Sequence, residues 1–131
     1  MASVRVLLAD DHQGVADALG EYVSEAFQLV GTVRDGFALL EAARALEPDV
    51  IVSDLSMPGT DGLTAMKHVR TEFPHMRVIL LTNYGDPALV RHALAAGASG
   101  VVLKVHAPAD LVQAIRVVAE GGTYVSNTIA L

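Results

Sequence analysis

The chain has 131 residues, of which 52% are hydrophobic and 18% charged, a balance that suits one domain with a well-buried core and excludes intrinsic disorder. It contains no cysteine, so disulfides, thiol nucleophiles and thiolate metal sites are ruled out. The net charge is −6 and the basic residues are scattered, which makes the chain itself a poor nucleic-acid binder; DNA binding would have to come from residues beyond Leu131.

No apolar run approaches the ~20 residues of a membrane span. The opening Met1-Ala2-Ser3-Val4-Arg5 leads into apolar residues that stop at Asp10, unlike a signal peptide, so a cytoplasmic location is expected.

Five apolar runs alternate with five segments of helical period, and this alternation predicts an α/β fold with a parallel sheet and helices on both faces. Val4 to Ala9 reads as the first strand, followed by a helix with Val15, Leu19, Tyr22, Val23 and Phe27 as its inward stripe. Leu29 to Val33 is a short second strand. After the Asp35-Gly36 turn, a second helix is expected to bury Phe37, Leu40 and Ala43 and to stop at Glu47-Pro48.

Val50 to Asp54 forms the third strand, which the Met57-Pro58-Gly59 turn forbids to continue. Thr60 or Asp61 caps a third helix facing inward through Leu63, Met66, Val69 and Phe73, and Pro74 ends it. Val78 to Leu81 is a continuous apolar run, as in a central strand buried on both faces. Asp86-Pro87 starts a fourth helix that closes at Gly97, and Val101 to Leu103 is the fifth strand. Pro108 opens the last helix, with Leu111, Ile115 and Val118 inward and Gly121-Gly122 as the stop. The tail from Thr123 to Leu131 carries no further element that the pattern assigns.

Chemistry-bearing residues fall at the ends of the strands. Asp10 and Asp11 end the first, Asp54 the third, Thr82 the fourth and Lys104 the fifth, where ligands of open α/β sheets collect. An isolated Asp-Asp pair would be read as turn and cap residues. Three gathered carboxylates cannot all ionise comfortably, and a divalent cation resolves the conflict; oxygen-only donors favour Mg²⁺. His12, His68, His75, His92 and His106 show no paired ligand spacing and read as surface or boundary residues, His12 as a first-turn residue beside the acid pair.

Leu8-Ala9-Asp10-Asp11-His12, Asp54-Leu55-Ser56-Met57-Pro58-Gly59 with Gly62 behind it, Leu81-Thr82, and Ala96-Gly97-Ala98-Ser99-Gly100 leading to Leu103-Lys104 resemble the response-regulator receiver domain, in order and spacing, over nearly the whole chain. The Asp-Asp-His opening and the late Ala119-Glu120-Gly121-Gly122-Thr123-Tyr124-Val125-Ser126 run are similar to receivers of the helix-turn-helix (NarL/FixJ/LuxR-type) transcription regulators. The resemblance implies a doubly wound, flavodoxin-like five-stranded parallel sheet of order 2-1-3-4-5. It also implies a receiver domain over residues 1–121 and a tail, 122–131, that begins a linker to an output domain.

In function, the resemblance implies Mg²⁺-dependent transfer of a phosphoryl group from a sensor histidine kinase to Asp54, switching a DNA-binding transcription regulator, with homodimerisation on phosphorylation. Asp11, Asp54 and the backbone carbonyl of Ser56 would hold the metal, with Asp10 assisting through water. Lys104 and Thr82 would bind the phosphoryl group. Tyr84 and Ser56 would tune its lifetime. The chain would catalyse its own aspartyl phosphorylation and dephosphorylation without turning over a separate substrate.

Two positions depart from the family pattern. Val101 stands where an aromatic residue often reports the switch, and Val105 stands where a proline often follows the lysine. Other functions fit less well. A phosphohydrolase would want an acid at Ser56, and a Rossmann binder would want a glycine-rich run after the first strand. A pseudo-receiver acting only as a protein-binding module would not need the full set of Asp10, Asp11, Asp54, Thr82 and Lys104.

Overall fold

The computed structural model describes residues 3–126 and Ile129. Strands β1 (Arg5–Ala9), β2 (Gln28–Val33), β3 (Val50–Asp54), β4 (Arg77–Thr82), β5 (Gly100–Leu103) and β6 (Tyr124–Val125) alternate with helices α1 (Gln13–Ala26), α2 (Gly36–Leu46), α3 (Gly62–Glu72), α4 (Pro87–Ala95) and α5 (Ala109–Ala119). The sheet is parallel throughout, in the order β2-β1-β3-β4-β5-β6. No helix among the described residues is long and apolar enough to cross a membrane.

Alternation along each strand divides the core in two, because successive side chains leave opposite faces of a sheet. Val6, Leu8, Val50, Val52, Ile79 and Leu81 pack with Leu19 and Val23 of α1 and Leu111, Ile115 and Val118 of α5. Leu7, Ile51, Val78 and Leu80 pack with Leu39 of α2, Met66 and Val69 of α3 and Val90 of α4. Because β3 is buried along its whole length, its Val-Ile-Val run is apolar on both faces, the signature of a covered parallel strand. Each of these side chains contributes about 1.5–3 kcal/mol by leaving water. Asp35, Asp61 and Asp86 cap α2, α3 and α4 through their carboxylates, with Pro87 in the first turn of α4.

Four details differ from the sequence reading. Val15 and Tyr22 of α1 are exposed, and Ala16 and Gly20 join Leu19 and Val23 on the inner face. Small residues there let the helix lie close to the sheet: a β-carbon on Gly20 would already touch the Leu29 side chain at 3.4 Å. On α2, Phe37 points out and is 62% exposed, whereas Leu39 and Ala43 turn inward. Pro108 is the residue before α5 and not its first helical residue.

The fourth difference is the sixth strand, in a stretch where the pattern assigned nothing. Gly100 pairs with Tyr124 and Val101 with Val125, so β6 continues the sheet beyond β5. Two residues are too few to show an alternation, and backbone pairing alone defines the element.

Candidate functional site

The site is set by strand register. Ala9 of β1 lies opposite Ser53 of β3, Asp54 opposite Leu81 of β4, and Thr82 opposite Leu103 of β5, so these strands end level with one another. The N–H of Lys104 donates to the carbonyl of Thr82 at 2.8 Å and extends that level edge. Asp10, Asp11, Asp54, Thr82 and Lys104 therefore share one rim at the carboxyl end of the sheet, as their sequence positions predict.

Both oxygens of the buried Asp54 are committed. Oδ1 accepts from the Ser56 N–H at 3.1 Å and Oδ2 from Lys104 Nζ at 2.6 Å. Asp10 is fully buried; its Oδ1 accepts from the His12 N–H at 2.9 Å, and its Oδ2 lies 3.5 Å from Lys104 Nζ. Burial works to discharge the Lys104 ammonium, but the hydrogen bond to Asp54 and the charges of Asp54 and Asp10 outweigh it and raise its pKa above the ordinary lysine value.

Two buried carboxylate oxygens, Asp10 Oδ2 and Asp11 Oδ1, have no hydrogen-bond partner. Such orphaned acceptors are costly in a protein interior. One donor atom from each of Asp10, Asp11, His12 and Asp54 lies within 4.8 Å of the others. Hard, orphaned carboxylate oxygens converging in this way suit a divalent cation, so the residues present fit Mg²⁺.

Over Asp54 opens a cleft of about 350 Å³, walled by Ser56, Asp61, Thr82, Asn83 and Tyr84. The Thr82 hydroxyl accepts from the Tyr84 N–H at 3.1 Å and donates to the Tyr84 carbonyl at 3.3 Å. It is thus turned to its own loop. Tyr84 is 73% exposed at the cleft wall, whereas Val101 lies in the core beneath, paired with Leu80 and Val125.

The loop between β3 and α3 is held from both ends. A β-carbon on Gly62 would collide with the carbonyl oxygen of Asp54, so only glycine allows α3 to start so close to Asp54. The exposed Phe37 ring rests against Gly59, where the backbone has φ +76°.

Sequence reasoning placed the five rim residues but missed two contributors. One is His12, whose Nδ1 reaches 3.2 Å from Asp11 Oδ1; its place beside the acid pair was the available signal. The other is Ser126, buried in the tail, whose hydroxyl accepts from the Leu103 N–H at 3.0 Å and donates to Asp110 Oδ2 at 3.1 Å. Nothing in its local pattern announces that tie.

A buried carboxylate on a lysine, beside an acid pair on the carboxyl edge of a flavodoxin-like sheet, defines a receiver-type architecture, and the comparisons agree on that class. The response regulator receiver domain family matches residues 6–116, and the chain belongs to that family. It is 36% identical to the response regulator GacA of Pseudomonas viridiflava over 129 residues, which cover 97% of this chain and 60% of GacA. It resembles the crystal structure of a LuxR-family two-component response regulator from Aurantimonas sp. SI85-9A1 with TM-score 0.92 and 32% identity, covering 98% of this chain and 93% of that one. RcsB of Salmonella enterica serovar Typhimurium, solved bound to a promoter in the presence of a phosphomimetic, matches with TM-score 0.86 and 31% identity, covering 97% of this chain and 64% of that one. The chain spans a little over half the length of curated relatives such as LnrK of Bacillus subtilis (55%) and DegU of Brevibacillus brevis (52%).

Proposed function

We propose that Asp54 is the phosphoacceptor of a two-component signalling module. The observation that carries the proposal is the hold on its carboxylate: one oxygen on the Ser56 N–H, the other on Lys104, under an open cleft. An Asp54 oxygen attacks the phosphorus of a phosphohistidine on a sensor kinase. The new P–O bond forms as the P–N bond breaks, and the imidazole leaves with the electron pair and takes up a proton. Lys104 compensates charge on a phosphoryl oxygen, and the Thr82 hydroxyl exchanges its bond to the Tyr84 carbonyl for one to the phosphoryl group.

Asp11, Asp54 and the Ser56 carbonyl would hold Mg²⁺, with Asp10 acting through water. When bound, the cation supplies Lewis-acid neutralisation of the transferring group. Water later cleaves the acyl phosphate, so the chain modifies only itself and turns over no separate substrate.

The parent is a cytoplasmic transcription regulator with a helix-turn-helix output domain, supported by the partial coverage of relatives described as transcriptional regulators and by the promoter-bound state of RcsB. Residues 1–121 carry the receiver's phosphoacceptor machinery, and the tail that starts at 122 adds β6 to its sheet on the way to a linker. Phosphorylation moves the loop from Thr82 to Pro87 and the start of α4, favouring a homodimer.

Mass spectrometry after incubation with a small phosphodonor and Mg²⁺ tests the acceptor. Wild type gains one phosphoryl group, whereas Asp54→Asn, or wild type with a chelator, gains none. Equal labelling of Asp54→Asn rejects the assignment.

A further inference from the structure

We propose that His12 supplies an imidazole donor to the acidic site, so that the site takes a borderline divalent cation such as Co²⁺ more tightly than Mg²⁺. The proposal rests on the metal-site reading above and adds a residue and a selectivity to it.

His12 is fixed by its backbone and free in its ring. Its N–H is held by Asp10 Oδ1, and it begins α1 in an extended conformation without a side-chain capping bond. The imidazole is 67% exposed, yet Nδ1 lies 3.2 Å from Asp11 Oδ1 and 3.5 Å from Asp10 Oδ1. Donors around one octahedral ion with bonds of about 2.1 Å stand about 3.0 Å apart when adjacent and about 4.2 Å apart when opposed. The donor atoms of Asp11, His12 and Asp54 already lie, with that of Asp10, within 4.8 Å of one another, so small side-chain adjustments close a set in which Asp10 is reached through water.

Two further observations point to a cation and not only to a His-Asp pair. Asp10 Oδ2 is buried without a hydrogen-bond partner, and so is Asp11 Oδ1, the oxygen nearest the imidazole. An ion pair between His12 and Asp11 leaves Asp10 Oδ2 with no hydrogen bond and only the 3.5 Å approach of Lys104 Nζ, an ammonium already engaged with Asp54 at 2.6 Å, whereas a shared cation serves both acids. Adding one nitrogen to oxygen donors matters little to Mg²⁺, which prefers oxygen and retains its waters, and much to later transition ions, which favour imidazole.

Isothermal calorimetry with Co²⁺ alone and with Mg²⁺ alone, on wild type, His12→Ala and Asp11→Asn, tests this; melting of each metal-free variant checks its fold. Because even outer-shell partners are worth about 10- to 100-fold in metal affinity, loss of the direct imidazole donor is expected to weaken Co²⁺ at least about tenfold. Mg²⁺ affinity should change less than about twofold, and Asp11→Asn should weaken both ions. The Co²⁺ visible spectrum should also change between wild type and His12→Ala. Equal effects of His12→Ala on the two ions, or no effect on Co²⁺, overturn the role of His12 and leave the Mg²⁺ site standing. Co²⁺ binding untouched by Asp11→Asn lies elsewhere and also overturns it. Failure of both ions to bind wild type overturns this inference together with the metal-site reading.

Discussion

Lys104 Nζ stands 2.6 Å from Asp54 Oδ2, which places an ammonium against the proposed nucleophile before any phosphoryl group arrives. With Asp10 also 3.5 Å away, one ammonium balances two buried carboxylates. Lys104→Met should leave those charges facing each other, lower the melting temperature of the metal-free chain and make its gain in melting temperature on adding Mg²⁺ larger than that of wild type. It should also slow phosphodonor labelling by about 10²-fold, the usual cost of losing one preorganised charge donor. Thermal melts with and without Mg²⁺ and a labelling time course check both effects; a smaller Mg²⁺ gain in the variant counts against this role.

The same lysine sets an alkaline limit on stability. Its pKa is raised above 10.5, and that of Tyr124 is raised above 10.0 by burial and by the neighbouring Asp110 carboxylate. In both cases the folded chain keeps a proton that the unfolded chain releases at lower pH. Their contribution is therefore fully present below the unfolded values and is lost as pH rises through the raised ones. Urea midpoints are expected to fall as pH climbs above about 10, with a shallower fall in Lys104→Met. An equally steep fall in that variant would remove Lys104 from the explanation.

How much of this was legible beforehand differs by level. The strands β1 to β5 and the five rim residues follow from apolar runs that each end in a polar side chain, a one-dimensional signal, whereas the order in which the strands lie side by side came only with the resemblance to receiver domains. The phase of the amphipathic helices was less legible: Tyr22 and Phe37 look like core residues by type, but the inner faces need Gly20 and Leu39. Phe37 instead covers Gly59 at the edge of the site. The tie from Ser126 to Leu103 and Asp110 spans 23 and 16 residues, and no local pattern encodes it.

Tyr84 should govern the lifetime of the phosphorylated state. Its exposed ring stands at the wall of the cleft that opens over Asp54, where it would stand in the way of water approaching an acyl phosphate. Tyr84→Ala is expected to shorten the half-life severalfold while leaving the rate of labelling close to that of wild type. Loss of the label followed by mass spectrometry decides it, and an unchanged or longer half-life shows that the ring does not shield the site.

The signal must leave through contacts that differ between two states. Thr82 has such a contact, because its hydroxyl must release the Tyr84 carbonyl to reach a phosphoryl oxygen. Val101 has none: it is buried between Leu80 and Val125, and a β-branched side chain is stiff at χ1. The moving loop has another neighbour in the tail. A β-carbon on Gly85 would meet Ile129 at 3.4 Å and Leu103 at 3.7 Å, and Ile129 is itself buried in the core beside Val101 and Leu103. Release of Thr82 would thus press the loop against the tail as well as shift the start of α4. Sedimentation with and without phosphodonor should show dimerisation in wild type and in Val101→Ala, none in a fully labelled Thr82→Ala, and a weakened response in Ile129→Ala. If Val101→Ala abolishes the response while Thr82→Ala keeps it, the signal runs through the core and not through the loop.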